Sequence, residues 1–118
     1  MDLQSFFAGH PTSRAVFDKA LAIARRDGPV EVRVGKSQVS LRQRRGFAYI
    51  WLPGAYLRKP ATETVLAIAL DRQIASTRFK QIAHPAGRVW MHHLEVDGPD
   101  NVDDEVAGWI REAQQAAR

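Results

Sequence analysis

Residues Val30 to Pro53 read VEVRVGKSQVSLRQRRGFAYIWLP, and this stretch decides the fold. Val30, Val32 and Val34 alternate with Glu31 and Arg33. Val39 and Leu41 alternate with Gln38, Ser40 and Arg42. A period of two sends one set of side chains to a core face and the other to water. Phe47 to Leu52 is apolar on both parities, the mark of a strand inside a sheet. Gly35-Lys36 suits a tight turn with glycine first, and Arg44-Arg45-Gly46 suits a second turn. The stretch is therefore expected to form the middle of an antiparallel sheet of three strands, Val30–Val34, Ser37–Gln43 and Phe47–Leu52.

Outward from it, Thr64 to Leu70 is again apolar on both parities and is expected to be a buried fourth strand. Arg88 to Val96 is a further strand. Arg78 to Ala83 fits a short strand or a helical turn equally, and His84-Pro85-Ala86-Gly87 reads as a turn. Before the sheet, Asp2 suits the cap of a short helix carrying Leu3, Phe6 and Phe7 and ending at Gly9. Pro11 to Asp27 repeats apolar residues at three- and four-residue spacing, with Pro at the first helical position and Gly28-Pro29 as the stop. After the sheet, Val102, Val106, Trp109, Ile110 and Ala113 form the stripe of a last helix, with Asp100 as its cap and Asp103, Asp104 and Glu105 at its positive end. Helix, run of strands, helix predicts one α+β domain over residues 1–118. Its sheet is mainly antiparallel, with about five strands, and an N-terminal and a C-terminal helix pack on it.

The totals fit this reading. A chain of 118 residues with 45% hydrophobic and 25% charged residues has the length and composition of one globular domain. Cysteine is absent, which excludes a disulfide framework, a thiolate nucleophile and a cysteine zinc site. No apolar run reaches the length of a membrane span, and no basic-then-apolar leader opens the chain, so a cytoplasmic protein with no membrane partner is expected. The net charge is +4, with arginine in excess over lysine. Arg33, Lys36, Arg42, Arg44 and Arg45 face only Glu31 in their window, which admits an anionic partner without requiring one.

His92-His93 is the most conspicuous pair. Neighbours on a strand point to opposite faces, so the two imidazoles do not converge on one metal, and no metal or cofactor is expected. His92 shares a parity with Trp90, Leu94 and Val96, which suits a buried, hydrogen-bonded histidine; His93 shares one with Met91 and Glu95. Either ring has the chemistry of a general base. No nucleophile elbow or phosphate loop accompanies them, and Gly35-Lys36-Ser37 lacks the rest of a P-loop. Tyr49 and Trp51 share the parity of Phe47, and aromatics among arginines can stack bases, although such a row is more often core. Lys36, Gln38, Arg42, Arg45, His92 and His93 are the candidate binding residues, with no catalytic residue assigned.

The segments FFAGHP (Phe6 to Pro11), KSQVSLRQRRGFAYIW (Lys36 to Trp51), MHHLEV (Met91 to Val96) and DDEVAGWIREA (Asp103 to Ala113) together resemble DUF5655, a bacterial family of domains of unknown function. The family's recurring positions fall on Gly9, His10, Pro11, Lys36, Gln38, Phe47, His92, His93 and Trp109. Gly35 departs from it, where a hydroxyl residue is more usual. The resemblance implies a single α+β domain and transfers no activity; similar domains are at times joined to nuclease-like modules, which hints at nucleic acid. The reading is a non-enzymatic module binding an anionic ligand or partner in a basic and histidine-lined pocket. The alternatives are a nucleic-acid accessory domain, a histidine-dependent hydrolase or transferase, and an interaction module working as a homodimer.

Overall fold

A computed structural model describes residues 2–55 and 57–118. The elements run α1 (Leu3–Phe6), α2 (Pro11–Arg25), β1 (Glu31–Val34), β2 (Gln38–Arg42), β3 (Gly46–Trp51), a 3-10 turn (Pro53–Ala55), β4 (Thr64–Leu70), β5 (Phe79–Ala86), β6 (Val89–Val96), a 3-10 turn (Pro99–Asn101) and α3 (Asp104–Ala116). The six strands form one sheet in the order β1-β2-β3-β4-β6-β5, with every neighbouring pair antiparallel. The α+β reading holds, with one strand more than the five expected.

The additional strand is β5, at one edge. It extends through His84, Pro85 and Ala86, where a turn was expected, and the chain reverses at Gly87-Arg88 instead. Its pairing with β6 shifts register between Phe79 and Gln81 and again between Ala83 and Ala86. Bulges and a proline are tolerated at an edge, where one row of backbone groups has no ladder to serve.

Packing follows the alternation. Val39, Leu41, Ala48, Ile50, Leu66, Ile68, Leu94 and Val96 face one way and are fully or almost fully buried. They meet Val16, Phe17, Ala20 and Ala24 of α2 and Val106, Ile110 and Ala113 of α3 in one core cluster. α3 lies over β3 and β4, and α2 packs beside α3. Gln114 ties the two helices by donating to the Ala24 carbonyl at 2.9 Å. A single core with a Cα radius of gyration of 13.2 Å makes the chain one domain.

The helix ends show local chemistry at work. Asp2 accepts from the Ser5 N–H at 2.8 Å, and Gly9 takes a positive φ of 78° between α1 and α2. Asp103, and not Asp100, caps α3, accepting from the Val106 N–H at 3.1 Å. Asp100 sits in the 3-10 turn before it. Among the described residues no helix is long and apolar enough to cross a membrane.

Candidate functional site on the open sheet face

Both long helices pack on one face of the sheet. The other face carries a row of side chains that the register sets across all six strands: Arg33, Ser40, Tyr49, Ala67, His93 and Gln81. A parallel row holds Gln38, Trp51, Val65 and Glu95. Small Ala67 and Ala69 lie low between larger neighbours and are 6% exposed each. The result is a cavity of about 340 Å³ floored by Ala67 and walled by Gln38, Tyr49, Met91 and His93. An amide, an aromatic ring, a thioether and an imidazole thus line one hollow, each with hydrogen-bonding or polarisable atoms.

A bulge shapes its β3 side. Pairing slips between Leu41 and Arg42, so that Arg42 faces Gly46 while Leu41 faces Ala48. Phe47 is turned into the core with no exposure, and does not share the face of Tyr49 and Trp51 as strict alternation predicts. Gly46 takes the outer position beneath Tyr49. A Cβ there would stand 2.7 Å from Tyr49 Cζ, closer than side chains tolerate, and 3.1 Å from Arg42 Nη1, a tight contact. Only a glycine lets the phenol and the guanidinium settle over the strand. Arg42 makes no ion pair among the described residues, because its facing neighbour Glu31 is taken by Arg33 at 2.9 Å.

The two histidines part company as neighbours on a strand must. His92 is fully buried. Its Nε2 accepts from the Ile74 N–H at 3.0 Å, and its Nδ1 lies 2.9 Å from the Trp90 carbonyl, which assigns the proton to Nδ1. The ring packs edge-on to Phe79 at 4.7 Å. It has no nitrogen left for a ligand or a substrate. His93 is half-buried and lines the cavity. Burial, with a smaller contribution from His92, holds its pKa below the ordinary value of 6.5, so it presents a neutral ring with one donor and one acceptor. Its ring makes no hydrogen bond among the described residues.

Of the remaining expected residues, Gln38 joins His93, and Arg42 stands beside Tyr49. Lys36 does not reach this hollow; it lies in the β1–β2 turn and lines a separate notch with His10 and Ser37. Arg45 is elsewhere again, donating to the Ala116 carbonyl at 3.1 Å, while the Arg44 N–H donates to the Ala117 carbonyl at 2.9 Å. The basic turn thus satisfies the open end of α3. Tyr49, Ala67 and Met91 were not singled out as pocket residues; their shared outward parity with Gln38 and His93 was the available signal.

A model of the family described as Domain of unknown function (DUF5655) matches residues 3–116. The chain belongs to the DUF5655 family. The segments that resembled it lie, in this DUF5655 domain, at the α1–α2 corner, along β2 and β3, on β6 and on α3. No curated protein and no solved structure matches the chain.

Proposed function

We propose that this domain is a non-enzymatic binding module whose open sheet face takes a ligand combining a planar, hydrogen-bonding ring with an anionic group. The observation that carries the reading is the convergence of Gln38, Tyr49 and His93 around the Ala67 floor, with Arg42, which has no ion pair among the described residues, beside Tyr49. A ring fits between the phenol and the imidazole, where stacking and edge hydrogen bonds both contribute. The charge comes from Arg42, whose planar fork suits phosphate or carboxylate, because His93 is held neutral. Binding and not catalysis is favoured because His92 is spent on the backbone and no serine or carboxylate adjoins His93 in its cavity.

A second reading is single-stranded nucleic acid. Tyr49 and Trp51 stand on the same face of one central strand, the arrangement by which open sheets stack successive bases. Fluorescence titration with nucleoside monophosphates and with single- and double-stranded oligonucleotides, each at two salt concentrations, tests both. Gln38→Ala and His93→Ala are each expected to weaken binding about tenfold, and Arg42→Ala to weaken it and flatten its salt dependence. Monophosphate binding alone supports the small-ligand reading, and a steep salt slope with oligonucleotides supports the second. Absence of any binding at low salt removes both.

A further inference from the structure

A second site lies at the end of the sheet. The α1–α2 corner, the β1–β2 turn and the residues after β3 enclose a notch of about 240 Å³ lined by Phe6, His10, Lys36, Ser37, Leu52 and Ala55. It shares no residue with the sheet-face cavity. His10 also lines the adjoining cavity of about 520 Å³, which includes Glu63 and Thr62.

The chemistry of this notch is set by Glu63, fifty residues from its partners. One carboxylate oxygen accepts from the Ser13 hydroxyl and from the Ser13 N–H, the latter at 3.2 Å, so that Glu63 caps α2 in place of a local side chain. Ser13 Oγ also meets Thr64 Oγ1 at 2.6 Å. The other oxygen, Oε1, lies 3.1 Å from His10 Nδ1. The Ser13 hydrogen bond, foremost, and the His10 contact hold the Glu63 pKa below its usual value. An ionised carboxylate only accepts, so Nδ1 carries the proton and Nε2 is left for an incoming group. Lys36 makes no ion pair among the described residues, and the carboxylate of Glu63 lines the neighbouring cavity, not this one.

We propose that this notch binds a phosphate monoester group, with Lys36 supplying the charge, Ser37 a hydroxyl donor and His10 Nε2 the third contact. The volume admits such a group together with part of the molecule that bears it. The oxygens of such a group accept from an ammonium and from a hydroxyl, and His10 Nε2, the ring nitrogen that Glu63 leaves unengaged, makes the third contact. The Glu63 bond orients the ring, as a carboxylate orients histidines at other working sites.

The test is amide NMR titration of the full chain with inorganic phosphate. Saturable shifts are expected around Lys36, Ser37 and Leu52. Lys36→Ala, in an exposed turn, should weaken binding about tenfold, as loss of a charged hydrogen bond does. His10→Asn keeps an N–H for Glu63 but removes Nε2; it should weaken phosphate about tenfold and leave the melting temperature unchanged. His93→Ala should leave phosphate binding unaffected, which separates this site from the sheet face. Absence of saturable shifts, or undiminished binding in Lys36→Ala or His10→Asn, overturns the proposal.

Discussion

At the scale of the residue, adjacent identical side chains acquire different chemistry from the faces they occupy. His92 is locked between two backbone groups, and His93 opens onto a cavity. A pH dependence follows from the second. The folded pKa of His93 lies below the value of 6.5 expected of a free imidazole. The unfolded chain therefore binds the proton more readily, and protonation favours unfolding. Stability should rise with pH up to the region of the unfolded pKa and level off above it. Urea midpoints measured from about pH 5 to pH 8 should show this slope in the wild type and a flatter one in His93→Gln. An equal slope in both would show that His93 does not titrate differently in the two states. The opposite faces of the pair were legible from strand alternation alone. The partners of His92 were not, because Ile74 reaches it from a segment without periodicity.

At the scale of the element, α3 shows how much one stripe of side chains carries. Val106, Ile110 and Ala113 have no exposure, and Trp109 is 9% exposed. The indole packs on Phe79 of β5 with ring centroids 4.6 Å apart, and the Arg78 guanidinium lies 5.8 Å from its centroid while pairing with Asp103 and Glu105. Trp109→Ala should cost about 3–5 kcal/mol in urea unfolding, the usual loss for a truncated buried aromatic. A loss under about 1 kcal/mol would mean that α3 does not dock through this ring. The stripe itself was readable from its spacing. β5 was not, because two register shifts and Pro85 erase its period of two, and its exposed residues give no alternation to follow. The basic turn was legible only as a turn, yet the end of α3 comes down upon it, an encounter between residues some seventy positions apart.

At the scale of the whole molecule, one core joins both long helices to the sheet. The domain should unfold in a single transition, with far-ultraviolet circular dichroism and tryptophan fluorescence giving the same urea midpoint; separated midpoints would reveal a part that folds alone. The chain's local chemistry determined the helices, the sense of the sheet and the inward set of each strand, since periodicity and turn residues act over a few positions. Tertiary structure alone decided which side chains share a hollow. Gln38 and His93 line one hollow because β3 and β4, lying between their strands in this register, put all four strands' outward side chains on one face. Phe47 leaves the outer face because pairing slips by one residue at a bulge. Lys36 stands with His10, and His10 with Glu63, because the β1–β2 turn and the segment before β4 close on the start of α2. Such meetings depend on strand order and register, which follow from packing the entire core and leave no trace in the spacing of neighbouring residues.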